Sequence, residues 1–255
     1  MAELISHIYQ DYVGHWIIQS NEEHSVGVDR LASCFAGEFG MSEWGKVLGQ
    51  LHDKGKESHA FQQHIKKESG YEPDIKVCGN YNHAFIGGVL ARKLYGNSAD
   101  IFFVNQIVSH HTGLHDYDEI EGILNQDIPA EVNVNLEKEK LNVPAFKIQT
   151  NDFHHLARMM FSCLVDADFL DTEAFMDKES SVLRRNKATL HDLLPLLENK
   201  LKDLRAKADN SNVNAIRNQV QLQCIKMADT EIGFYSLTVP TGGGKTLSSL
   251  VWAMK

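Results

Sequence analysis

Apolar residues recur at i, i+3, i+4 and i+7 through most of the 255-residue chain, and alternating runs are almost absent before residue 230. The pattern predicts an all-α bundle with helices near 4–20, 23–37, 43–54, 57–68, 81–95, 99–111, 151–175, 188–207 and 213–228. Between 115 and 149 the periodicity fails. DYDEIEG is acidic there and Pro129 and Pro144 interrupt the chain, so an irregular excursion, a lid or a loop, is expected. The polar segment AKADNSN at 206–212 places a domain boundary near 208. Beyond it a helix carries the stripe Ile216, Val220, Cys224 and Met227, and FYSLTV reads as a short β-strand. Two domains follow, 1–207 and 208–255.

With 43% hydrophobic residues, 23% charged and 5 Pro, the composition excludes a disordered or low-complexity chain. No apolar run reaches the roughly 18–20 residues of a membrane helix, and MAELISHIYQDY lacks the basic-then-apolar order of a signal peptide. A cytoplasmic protein with no membrane partner is expected. Cys34, Cys78, Cys163 and Cys224 form no C-x-x-C pair, so they read as buried thiols rather than disulfides or zinc ligands. A net charge of −9 argues against a broad basic surface for nucleic acid, so any phosphate chemistry must be local. The 13 histidines turn attention to metal coordination, because neutral imidazole is the commonest metal ligand.

Their positions sharpen that reading. LHDKGK at 51–56 ends a helix whose inner face is Trp44, Leu48 and Leu51; His52 continues that face and Asp53 lies about 100° round from it, so one ion near the helix end could meet both. Lys56, four residues after His52, points the same way. His24 joins the stripe Val28, Leu31, Ala32 and Phe35, and His83 joins Ile86, Gly87 and Leu90. His110 and His111 end the stripe Phe103, Val104 and Ile107. Burying so many imidazoles is costly unless each finds a partner, and metal ions supply partners. A late carboxylate is offered by LVDADFLDTE at 164–173. There Asp168 continues the apolar face of Ala157, Met160, Phe161, Leu164 and Val165, while Asp166 falls nearly opposite and is the alternative. His7, His15, His59, His64, His154, His155 and His191 read as surface or packing residues, and His115 as a pocket-lining one.

The order His24, His52-Asp53, Lys56, His83, His110-His111 and the LVDAD carboxylates resembles the HD hydrolase superfamily. More narrowly, LHDKGKESHAFQQHI and LVDADFLDTE resemble the HD nuclease domain of the CRISPR-associated nuclease-helicase of type I interference systems, over roughly residues 15–175. The resemblance implies an all-α bundle around a metal centre that cleaves single-stranded DNA. It also implies that His24, His52, Asp53 and Asp168 (or Asp166) hold one divalent ion and Asp53, His83, His110 and His111 a second, with Asp53 as the bridge. Two such ions would lower the pKa of a shared water and neutralise the scissile phosphate, and Lys56 would stand beside that phosphate as a fixed positive charge. Imidazole-rich ligation suits Fe, Mn, Co, Ni or Zn better than Mg. The partners implied are single-stranded DNA and an RNA-guided CRISPR surveillance complex; the chain itself is expected to be a monomer.

LTVPTGGGKT at 237–246 follows the predicted strand. Gly242, Gly243 and Gly244 would let backbone N–H groups close around phosphates, Lys245 would reach the terminal ones and Thr246 would ligate Mg. Val239 stands where the strict phosphate-loop pattern has its first glycine, and PTGGGKT instead resembles motif I of DExD/H-type helicases, with IRNQVQ at 216–221 in the place of that family's nucleotide-contacting helix. Nine residues follow Thr246, so a fragment of the motor is expected. ATP and Mg would then bind only in the full-length protein, and ATPase or helicase activity is not expected from this chain. Two other readings stand beside the nuclease: a nucleotide phosphohydrolase of the same superfamily, and a non-catalytic interaction module that keeps a metal for structure.

Overall fold

The computed structural model describes residues 4–96, 99–142, 152–185, 188–231, 233 and 235–255. It is mainly α-helical with one small sheet. Strands β1 (Ile5–Gln10) and β2 (Trp16–Ser20) are followed by helices α1 (Asn21–Gly37), α2 (Ser42–Leu51), α3 (His59–Glu68), α4 (Ala84–Tyr95), α5 (Asn105–Ser109) and α6 (Tyr117–Leu124). Then come α7 (Phe153–Met176), α8 (Lys178–Arg185), α9 (Leu190–Lys207), α10 (Asn212–Ala228) and α11 (Lys245–Met254). The chain divides into two compact units, Met1–Val182 and Leu183–Lys255. That division falls about 25 residues before the polar segment near 208, because α9 packs with α11 of the second unit.

Residues 4–20 form an antiparallel hairpin, not the predicted helix. Register runs from Ile5 opposite Ser20 to Gln10 opposite Trp16, with a bulge between Ile5 and His7. The turn explains the difference: the Asp11 carboxylate accepts from the backbone N–H of Val13 at 2.9 Å and of His15 at 2.8 Å, and Gly14 takes φ +93°. Such a side-chain-capped turn competes with helix. The hairpin is fastened by Gln62 of α3, which exchanges two hydrogen bonds of 2.9 Å with the backbone of Ile5 and donates to Lys56 O at 2.7 Å.

The first helix of the unit starts on a capping box, with Ser20 accepting from Glu23 N–H and Glu23 reaching back to Ser20 N–H. Its face Val28, Ala32 and Ala36, fully buried, packs on Val47, Leu48 and Leu51 of α2, and Met160, Leu164 and Ala167 of α7 close the core. Contact between α1 and α2 is backbone to backbone: a Cβ on Gly49 would lie 2.4 Å from the N and Cα of Asp29. Residues 99–111, predicted as one helix, are a wide π turn at Asp100–Val104 leading into α5. Gln106 Nε2 donates to Ile101 O at 2.8 Å and to Ala157 O at 3.2 Å, tying that turn to α7.

The excursion from 115 contains α6, and residues 125–142 then lie as a strap against the first unit. Glu131 accepts from His59 N–H at 2.8 Å, Glu57 from Asn133 N–H at 2.9 Å, and Asn142 O from Trp44 Nε1 at 2.9 Å. Pro144 lies outside the described residues. FYSLTV has no strand among its described residues; the two strands present pair with each other in the hairpin, and an extended segment with no neighbouring strand has no ladder to join. Of the cysteines, Cys163 and Cys224 are buried as expected, but Cys34 and Cys78 are exposed. Cys34 stands off the Val28–Ala32–Ala36 face of α1, and Cys78 belongs to the irregular stretch before α4. No described helix is long and apolar enough to cross a membrane.

Replacing glycine by alanine inside an exposed helix ordinarily adds about 0.5–1 kcal/mol of stability. For Gly49→Ala the sign is expected to reverse, with a loss of about 1–3 kcal/mol in urea unfolding, because the methyl group must push α1 off α2.

Candidate metal centre

The helix α2 ends at Leu51, and His52 is its C-cap, still in helical conformation, with its N–H bonded to Leu48 O. Asp53 leaves the helix at φ −109°, ψ 17°, a region where active-site residues gather. A single turn of 3₁₀-helix over Lys54–Glu57 follows. A Cβ on Gly55 of that turn would lie 2.1 Å from His83 O, so the missing side chain lets the backbone before α4 come against the turn. Asp53 is 3% exposed, and both its oxygens are surrounded by nitrogen.

Oδ2 of Asp53 lies 3.3 Å from Nε2 of both His24 and His52, and Oδ1 lies 3.2 Å from His83 Nε2 and 3.5 Å from His110 Nε2. Asp168 of α7 enters from the other side, its Oδ1 3.2 Å from His24 Nε2 and 3.9 Å from His52 Nε2. His111 meets His83, Nε2 to Nε2, at 3.0 Å. Two sets of donor atoms result, each within 4.8 Å of one another: His24, His52, Asp53 and Asp168; and Asp53, His83, His110 and His111. Asp53 belongs to both. Asp166 is exposed on the opposite face of α7, beside Phe35 and Glu38, and joins neither set.

The ring orientations suit a cation. Nδ1 of His52 donates to Gly49 O at 2.8 Å and Nδ1 of His110 to Ile107 O at 2.6 Å, while His24 Nδ1 faces the carboxylate of Asp171 at 2.8 Å. With Nδ1 engaged behind, Nε2 is the atom each ring turns toward Asp53. Among the described residues, Asp53 Oδ1 and His110 Nε2 are buried with no hydrogen-bond partner. Orphaned atoms of this kind, a carboxylate oxygen and an imidazole nitrogen side by side, are what a bound ion satisfies. These clusters could hold a divalent metal ion, and the residues present fit it.

Electrostatics agree with the geometry. Burial alone would lower His24, but the carboxylates of Asp168, Asp171 and Asp53 outweigh it and hold the imidazolium up to about 10. Burial pushes Asp53 upward, yet His52, Lys56, His110 and His24 hold it well below the ordinary carboxylate range. Asp168 is likewise pushed up by burial and held down more strongly by His24 and His52. His83 is lowered by burial, and His111 falls to about 4 through burial and its neighbours His110 and His83. The cluster therefore sets ionised carboxylates beside imidazoles of two kinds: His83 and His111 are held toward the neutral form that ligation requires, whereas His24 and, through Asp53, His110 are held toward the protonated form, where an ion at Nε2 would take the place of a proton.

Lys56, expected beside a phosphate, is 5% exposed; its Nζ lies 2.6 Å from Asp53 Oδ2 and donates to Ser6 Oγ at 3.0 Å. Asp171, His7 and Gln19 were not singled out by the sequence. His7 sits edge-on to His24 with centroids 4.6 Å apart, and burial with the charges of Lys56 and His24 lowers it to about 4. For Asp171 a signal exists: it stands one helical turn after Asp168, on the same face.

In the second unit, Gly242 and Gly244 take φ +85° and +83°, and Gly244 caps α11, which begins at Lys245. Arg217 of α10 donates from Nε to Gly242 O at 2.7 Å. Gly242, Gly244, Lys245 and Thr246 line a cavity of about 860 Å³ together with Arg217 and Gln221. Gly243 is partly buried under the loop, where a Cβ would lie 2.3 Å from Val239 Cγ1.

Chelation is expected to lower the melting temperature of the wild-type chain and Mn²⁺ or Co²⁺ to restore it. An ion at a hundred times its dissociation constant contributes about 2.7 kcal/mol. In Asp53→Ala, which removes the ligand common to both donor sets, differential scanning calorimetry should find little change on adding metal.

Comparison with models of known protein families and with curated proteins gives no match for this chain, so its chemistry is read from the site itself.

Proposed function

We propose that the first unit is a metal-dependent phosphodiesterase of the HD type that cleaves single-stranded DNA, with two divalent transition-metal ions held in the donor sets that share Asp53. The observation that carries this reading is the double use of Asp53: one carboxylate, buried and ionised, offers one oxygen to each set. Ions held there would supply Lewis acidity toward a phosphodiester and a source of hydroxide near neutral pH. Five imidazoles and two carboxylates in place of an all-oxygen shell favour Mn, Fe, Co, Ni or Zn over Mg.

The protein's own groups set the rest. Lys56 stands with its Nζ 2.6 Å from Asp53 Oδ2, where an ammonium would counter negative charge building on a phosphate. His24 and His52 are fully buried, whereas His83 is partly exposed and His111 exposed, so the cluster opens on the His83–His111 side. An open side suits a strand that continues in both directions, and it weighs against a nucleotide phosphohydrolase with a closed pocket. The −9 charge of the chain favours a strand delivered by a partner over one captured from solution, in keeping with an RNA-guided surveillance complex as supplier. For the second unit the proposal is a nucleotide-phosphate loop of the helicase type at Gly242–Thr246, supported by its two left-handed glycines at the start of α11.

Circular single-stranded DNA should be cut by the purified chain with Mn²⁺ or Co²⁺ and left intact with chelator. Asp53→Ala and Asp168→Ala should each lower the rate by at least about a hundredfold. Asp166→Ala, on the far face of α7, should stay within about twofold of wild type. Hydrolysis of cyclic nucleotides or dNTPs in place of DNA would favour the phosphohydrolase, and no cleavage with any metal would leave the interaction module.

A further inference from the structure

The two nitrogens of His24 have different surroundings. Nε2 faces Asp53 and Asp168 at 3.3 and 3.2 Å, inside the first donor set. Nδ1 faces Asp171 Oδ2 at 2.8 Å, away from it. An ionised carboxylate only accepts, so the hydrogen in that contact belongs to Nδ1, and a neutral ring is left with its lone pair on Nε2. Asp171 follows Asp168 by three residues, so one face of α7 presents one carboxylate to the donor set and another to the back of the imidazole.

Asp171 is itself held. Gln19 of β2 donates from Nε2 to the same Oδ2 at 2.8 Å, and its amide oxygen is 2.8 Å from Nδ1 of His7, its register partner on β1. The other oxygen lies over α1 at Gly27, three residues after His24. A Cβ built on Gly27 would sit 1.9 Å from Asp171 Oδ1 and 2.5 Å from its Cγ. No side chain other than hydrogen leaves room for the carboxylate where it is. The glycine is thus part of the contact between α1 and α7 that delivers Asp171 to His24.

We propose that Asp171, seated over Gly27 and anchored by Gln19, is a positioning residue that fixes the tautomer and orientation of His24 and raises its basicity as a metal ligand. The inference rests on the metal-centre reading above. A carboxylate behind a ligating histidine typically carries a factor of about 10–100 in metal affinity.

The test is a Co²⁺ titration of the chelator-treated chain, followed by visible absorption and calorimetry, with melting of the metal-free proteins measured alongside. Asp171→Asn keeps the shape and removes the charge, and it should weaken Co²⁺ by about 10–100-fold while the metal-free fold persists. Gly27→Ala, which touches no donor atom, should weaken Co²⁺ in the wild-type background by displacing the carboxylate. In an Asp171→Ala background, where nothing remains to displace, the same alanine should add no further loss. With Zn²⁺ bound, imidazole ¹⁵N shifts should show His24 protonated on Nδ1 and ligated through Nε2 in wild type, and that pattern should be lost in Asp171→Ala. Wild-type Co²⁺ affinity retained by Asp171→Asn and by Gly27→Ala would overturn the role of Asp171 and leave the metal centre standing. Failure of the wild-type chain to bind Co²⁺ would overturn both.

Discussion

A single carboxylate, Asp53, has to stay ionised in the interior of the first unit, and the surrounding architecture answers that requirement. An isolated buried charge carries a desolvation penalty of several kcal/mol, and here the offset comes from Lys56 at 2.6 Å and from imidazoles of His24, His52, His83 and His110 at 3.2–3.5 Å. These groups come from α1, the end of α2, the turn after it, the residue before α4 and the end of α5. Each element must arrive to within a few tenths of an ångström, which a core of close-packed helices permits.

Close approach of backbones supplies that accuracy. At Gly49 the second helix touches the first along the main chain, and at Gly55 the turn after Asp53 rests on the carbonyl of His83. The hairpin closes the site from the side: Ser6 meets Lys56, His7 stacks edge-on to His24, and Gln62 of α3 holds Ile5 by both its N–H and its C=O. Packing and chemistry are hard to separate here, because the residues that fasten elements together neighbour those that supply the donor atoms.

What could be read from the chain alone was local. His52 and Asp53 are adjacent, His24, His83, His110 and His111 continue apolar stripes, and the 100° step of a helix separates Asp168 from Asp166 without any tertiary knowledge. Residues 4–20 misled because Ile5 and Ile8 fit a helical spacing as readily as a strand, and the deciding feature was the Asp11 turn. Asp171 and Gln19 were out of reach for another reason. Their partners lie 147 and 152 positions away, and no periodicity reports a contact over such a separation. Lys56 was legible as a cation near the site but not as the counter-charge of Asp53, since the 3₁₀ turn that swings it there leaves no mark in a helical wheel. The extended run before the glycine loop had strand composition, yet a ladder is a property of two segments.

The amino-terminal hairpin, joined to the helices through so few bonds, would ordinarily pass for an ornament on a helical protein. Because Ser6, His7 and Gln19 all sit on it, whatever is attached to or trimmed from this end reaches Lys56 and, through Asp171, His24. A binding partner that grasped or peeled away these two strands would hold a handle on the donor sets without touching a single donor atom.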